Sequence, residues 1–405
     1  MKRTRLPRHT RQTPDFEQLV RLASGLGHSC CRAEDAFWEA RLATQIDRLL
    51  EDGDESTLTA ALDHLYAGKD RAYDALAEMI EARCETRTHT APAKSTEAAD
   101  TKVARASSLL LFNAPILAWS RYAIPATPIT AQTLANLRVH LQAHIFAEGV
   151  RIGLADYLYS PDQLPQSYCA TAELTDKLGK CALHSRDLHL EPGQMPETAS
   201  FLSDMRYILG VVAVAPGAAL FRWQEDDAST NHRDECLSQW RKQGDEVLRP
   251  LLTGCVSELL LPQSYHAACR DADRQSRPYS LRASVAYLGT TLNIGAGELR
   301  AVIAPFYEQN LEEYRIGFTQ KNSSQVIHGV VWPMLDAEDD AADMAAQIET
   351  VLREIGVGEV LHLDHRLPLE YCDDCGAPLY PNPEGEPVHA EMPEEQAEAT
   401  PRHLH

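Results

Sequence analysis

One short pattern recurs three times along the chain, and it limits the available folds more than any other feature. Leu164-Pro165-Gln166-Ser167-Tyr168-Cys169, Leu261-Pro262-Gln263-Ser264-Tyr265-His266 and Leu367-Pro368-Leu369-Glu370-Tyr371-Cys372 all read L-P-x-x-Y-[C/H], and the first two share LPQSY outright. The copies start at Leu164, Leu261 and Leu367, 97 and 106 residues apart. An apolar, strand-like run precedes each copy. Ahead of that run lies a helical stretch, and ahead of the helix a strand closing on Trp119, Trp223 or Trp332. A strand–helix–strand path buries its helix on a sheet and crosses right-handedly by default. The expected fold is therefore α/β, with α+β as the alternative: an N-terminal helical segment followed by three related strand–helix–strand modules, side by side or around a pseudo-axis.

Periodicity sets the boundaries. Residues 1–12 form a basic flexible head carrying Lys2, Arg3, Arg5, Arg8 and Arg11. Residues 13–84 are a helical segment: apolar residues recur every three or four positions from Phe16 and again from Phe37 to Leu50, Gly53 ends that helix, and two short helices follow at 57–66 and 73–80. Residues 85–105 are rich in Thr, Ala, Lys and Glu and read as a flexible linker. Module 1 covers 106–206, with strands at 107–119 and 150–159 around a helix at 130–147. Module 2 covers 207–311. It opens on a hairpin about Pro216-Gly217, continues with a helix at 233–252 and a strand at 255–261, and ends with connecting helices at 266–275 and 280–292 and an extra strand at 299–307. Module 3 covers 312–392: a hairpin around Asn322-Ser323-Ser324, a helix at 341–355 followed by Gly356, and a strand at 359–364. Residues 393–405 form a disordered tail.

A chain of 405 residues, 44% apolar, can bury more than one core. Its formal net charge of -21 argues against general binding to nucleic acid or anionic membranes. The basic start is followed by polar residues rather than an apolar signal region, and the longest apolar run, 207–221, is too short to span a bilayer. These features point to a cytoplasmic location without membrane insertion. The ten cysteines are not spaced as a secreted disulfide framework and are expected to be reduced.

The third copy carries the C-x-x-C of the chain, Cys372-Asp373-Asp374-Cys375-Gly376. Two thiolates at this spacing can grip one zinc ion, and the glycine relaxes the turn. Equivalence of the copies points to His266 and Cys269 as the other two ligands, giving a Cys3His set with Cys372 and Cys375. Cys169 is a substitute, and His389 is the one later candidate before His403 and His405. The plainer alternative is a reduced pair in a tight turn. A redox role is disfavoured because Asp373 and Asp374 oppose a thiolate.

His140 and His144 have helical i, i+4 spacing but lack the glutamate of a zinc protease motif. His362, Asp364 and His365 cluster on a strand. Arg121, Arg222 and Arg282 lie near the repeats and supply forks for a small anionic ligand; Arg–aromatic stacking is the alternative. There is no phosphate-binding G-x-x-x-x-G-K-[ST], no G-x-G-x-x-G and no G-x-S-x-G.

Several stretches resemble a bacterial domain-of-unknown-function family, DUF2863: APILAWSRYAIP (114–125), LFRWQE (220–225), RPYSLRA (277–283), EEYRIGF (312–318), HGVVWPML (328–335) and PLEYCDDCGAPLYPNPEGE (368–386). The resemblance covers most of the chain beyond residue 13. It implies a stand-alone cytoplasmic protein and brings no activity, substrate or catalytic residue. The expected function is a non-catalytic scaffold or ligand-sensing regulatory protein with a structural zinc site, whose partner is a protein or a small anionic ligand. The alternative is an enzyme acting on a small anionic substrate in a pocket between the modules.

Overall fold

The structure, a computed structural model, describes residues 13–91, 105–198, 201–225, 232–335 and 343–393. The basic head, the middle of the expected linker and nearly all of the tail lie outside those residues. Four helices open the described chain: α1 (Pro14–Gly27), α2 (Arg32–Asp52), α3 (Glu55–Ala67) and α4 (Ala72–Glu85). The Thr13 and Asp54 side chains accept the free N–H groups of Phe16 and Thr57, fixing where α1 and α3 begin. Leu19, Ile46, Leu58, Leu76 and Ile80 are completely buried in one shared core, as the helical spacing of the apolar residues requires. Among the described residues no helix is long and apolar enough to cross a membrane.

Thr86–Ala91, expected to belong to the linker, is strand β1. It pairs antiparallel with the start of β2 (Arg105–Trp119), from Thr86 opposite Leu110 to Ala91 opposite Arg105. An edge strand needs no apolar face, and its threonines suit the extended backbone. The chain then continues through α5 (Ala131–His144), β3 (Arg151–Tyr159), α6 (Tyr168–Leu183), β4 (Ser203–Val214), α7 (Arg233–Leu248), β5 (Val256–Leu259), β6 (Gln263–Ser264) and α8 (Tyr265–Leu292).

All pairings in the first sheet are antiparallel, and β4 lies between β2 and β3. The strands β2 and β3 therefore run the same way with β4 between them. In turn β4 and β5 run the same way with β2 between them. The first two strand–helix–strand paths are thus interleaved in one sheet and do not stand side by side as separate modules. β2 explains this. Its alternating residues bury Phe112 and Ile116 in one core and Leu111 and Leu117 in another. A long strand buried on both faces must have both edges paired. β4 fills one edge, and β1, β6 and β5 fill the other in succession. For the same reason the hairpin expected about Pro216-Gly217 does not form. Both edges of β4 are occupied, and residues 218–221 form a loop whose Phe221 bridges Phe146 ahead of a short 3-10 turn at Arg222–Gln224.

The helix α8 also departs from expectation. It runs 28 residues without a break, with Pro278 inside it, where two shorter helices were expected. Packing on both sides outweighs the missing N–H of the proline. Tyr265 and Ala272 join the core of the first sheet, while Leu281, Val285 and Leu288 join that of the second.

The second sheet contains β7 (Leu299–Tyr307), β8 (Leu311–Gln320), β9 (His328–Pro333) and, after α9 (Met344–Ile355), β10 (Glu359–His362), in the order β10-β7-β8-β9. β10 is parallel to β7 and the other neighbours are antiparallel. β7, expected to end module 2, is an inner strand here. The expected β8–β9 hairpin is present. Beyond β10 runs a C-terminal arm with three short strands: β11 (Leu367–Pro368) beside β7, then β12 (Tyr380–Pro381) paired with β13 (Pro387–Val388).

Candidate functional site

The arm is held by contacts from β8 and β9. Gly317 and Gly329 are cross-strand partners. A Cβ on Gly317 would sit 2.3 Å from the Pro381 carbonyl oxygen, and one on Gly329 would sit 2.3 Å from the Tyr380 ring. The pair is a slot in the sheet surface that admits β12 at a distance no side chain would allow. Arg315, fully buried, ties both ends of the next loop. Its Nη1 donates to the carbonyls of Glu370 (2.6 Å) and Leu379 (2.8 Å), and its Nε donates to the Glu313 carboxylate (2.6 Å). Its guanidinium lies 4.4 Å from the centre of the Phe306 ring and 5.0 Å from that of Tyr371.

Between these anchors the C-x-x-C forms a tight turn. The Cys372 N–H donates to the Ala377 carbonyl (2.7 Å), and the Gly376 N–H donates to the Cys372 carbonyl (2.8 Å). Gly376 has φ 71°, a left-handed conformation that favours glycine. The residue after β13 is His389, whose Nε2 lies 3.3 Å from the Cys375 sulfur. One ligand atom each from Cys372, Cys375 and His389 falls within 4.8 Å of the others. Donors bound to a tetrahedral zinc ion stand about 3.5–3.8 Å apart, so only small side-chain shifts would seat the ion. The N–H groups of Asp374 and then Cys375 point at the Cys372 sulfur and lower its pKa, while the Asp374 charge opposes them weakly. The local backbone thus outweighs the acidic residues from which a disfavoured thiolate was expected.

His266 and Cys269 do not join this group, so the set expected from the repeats is not the one assembled. They occupy the first turns of α8. The His266 Nε2 is 3.2 Å from the Cys84 sulfur, and the Asn113 amide donates to the Cys269 sulfur (3.4 Å). The physical reason is local. The first two copies of the L-P-x-x-Y pattern open helices α6 and α8, whereas the third opens the C-x-x-C turn. Cys169 is also elsewhere, in the first turn of α6.

Nor do the three arginines converge. Arg222 donates to the Gln142 carbonyl (3.0 Å), Arg282 faces Glu354 (3.7 Å), and Arg121 is exposed in the loop after β2. His140 and His144 stack on one another, with His144 bonded to Gln243. His362 pairs with Glu349 and His365 with the Gly385 carbonyl, not with each other.

Around His266 there is a second feature that the sequence did not reveal. A cleft of about 530 Å³ lies among α3, α6, β4 and α8, and both LPQSY copies contribute to it: residues 164–168 from one, Tyr265 and His266 from the other. Both helices start here, and carboxylates from the N-terminal bundle cap them. Glu55 accepts from the N–H groups of Tyr168 (3.2 Å) and Cys169 (2.8 Å), and Glu85 accepts from that of His266 (3.0 Å). Burial pushes the Glu85 carboxyl up to about 7, against the pull of the His266 N–H. Burial also raises the Cys84 thiol and lowers His266. The Cys84–His266 pair is therefore uncharged at neutral pH, the opposite of an activated thiolate.

Residues 4–403, nearly the whole chain, match the family described as "Protein of unknown function (DUF2863)". No curated protein and no solved structure matches the chain.

Proposed function

We propose that the chain, which belongs to the DUF2863 family, is a non-catalytic regulatory scaffold whose C-terminal arm is braced by a zinc ion on Cys372, Cys375 and His389. The observation that carries this reading is the convergence of three ligand atoms within 4.8 Å. The apolar cluster that holds the start of the arm to β7 is small, Ala304, Phe306 and Leu367 with Leu363 and Leu369 alongside, and the turn beyond it is tied by the backbone bonds of Arg315. Small units of this kind are commonly stapled by metal. Three protein donors leave one tetrahedral position for water or a further donor. The three arginines that would hold an anionic substrate in the enzyme alternative are separately engaged or exposed, which favours the scaffold reading over an enzyme for that substrate class.

Elemental mass spectrometry of tag-free protein tests the proposal. The expected result is about one zinc per chain in wild type, loss in Cys375→Ser and His389→Ala, and retention in Cys269→Ser. Metal-free wild type purified without chelators would overturn it.

A further inference from the structure

The cleft between the N-terminal bundle and the first sheet has a wall of one electrostatic character. Its charged residues are Glu55 and Asp273, and among the described residues no lysine or arginine lines it. Arg270 and Arg274 on the same helix turn to Glu81 (2.6 Å) and Asp271 (3.5 Å), and Arg277 lies over the Trp332 ring. The Asp273 carboxylate makes no hydrogen bond or ion pair among the described residues, although the charges of Arg274 and Arg277 favour its ionised form. Burial raises its pKa, a cost that an approaching cation would offset. Burial also keeps His266 uncharged, so the imidazole does not repel a cation at neutral pH.

The rest of the wall is aromatic and apolar. The His266 ring sits between those of Tyr265 (5.0 Å, edge-on) and Tyr168 (6.2 Å), giving an aromatic cluster drawn from both LPQSY copies. Leu164, Pro165 and Met205 complete an apolar side. A carboxylate beside aromatic rings recognises an ammonium group through its charge and the faces of the rings, and apolar residues take up the carbon skeleton.

We propose that this cleft binds a small organic amine in its protonated form, with the ammonium on Asp273 and the skeleton against the Tyr168–His266–Tyr265 cluster. The site is independent of the metal centre on the arm.

Isothermal titration calorimetry on the full chain tests this with three probes of similar size: 2-phenylethylamine, 2-phenylethanol and 3-phenylpropionate. The amine is expected to bind saturably and at least about tenfold more tightly than the alcohol, and the carboxylate not at all. Asp273→Asn should weaken the amine at least about tenfold. Cys375→Ser, which removes a zinc ligand, should bind the amine as wild type does, so failure of the metal reading and failure of this one are told apart. No saturable amine binding, equal binding of the carboxylate, or an Asp273→Asn protein that binds like wild type would each overturn the proposal. If Asp273→Asn does not fold, the imidazole resonances of His266 in wild type decide the matter. They should shift on titration with the amine, and their failure to move would count against the site.

Discussion

Glu85 and His266 are 181 residues apart in sequence and meet at the first turn of α8. No local pattern marks such a pair, so it was not legible in the sequence. Its consequence can be measured. A carboxyl held near 7 in the folded chain keeps its proton between pH 4.5 and 7, where the unfolded chain has lost it. Folding stability then falls as pH rises through that window, by at most about 3 kcal/mol for this one group. Glu85→Gln keeps an acceptor for the His266 N–H and removes the titration. Urea denaturation at pH 5 and pH 8 should show a smaller loss of stability in the variant than in wild type, with the variant the more stable at pH 8. An equal loss in both proteins would place the dependence elsewhere. Other residues were partly legible. Cys372 and Cys375 announce themselves by spacing, and His389 was the one later candidate before the terminal histidines. His266 and Cys269 were matched to them through the repeat, but equivalence in sequence does not bring residues together in space.

At the scale of elements, most helices and several strands followed from apolar period and caps, because those signals are local. The departures share a cause in pairing and packing between distant segments. β1 has no apolar period, but β2 offers it an edge. The expected β4 hairpin is lost because β2 and β3 fill both edges of β4. α8 continues through Pro278 because both sheets pack on it. The docking of the arm likewise depends on a pair of glycines whose role appears only when β8 and β9 are aligned. Gly329→Ala would drive a methyl group into the Tyr380 ring. Overpacking of this kind costs about 1–3 kcal/mol, and here it should act first on the arm. The variant is expected to release zinc to a chromogenic chelator faster than wild type, with the far-UV circular dichroism of the remainder preserved. Unchanged release would mean that β12 does not need the slot.

For the whole molecule, the chain is a helical bundle and two sheets joined by one long helix. The first two strand–helix–strand paths share a sheet, and the third lies in a second sheet that also takes in β7 and carries the arm. The two candidate sites lie on different parts of this frame: the cleft proposed for an amine where the bundle meets the first sheet, and the residues proposed to hold zinc beyond the second. The central claim is that Cys372, Cys375 and His389 hold zinc together. X-ray absorption at the zinc edge of the purified protein tests it most directly. The account predicts two sulfur neighbours at about 2.3 Å and an imidazole nitrogen at about 2.0 Å. A protein without zinc, a zinc ion with no sulfur neighbours, or one with three sulfurs would contradict it.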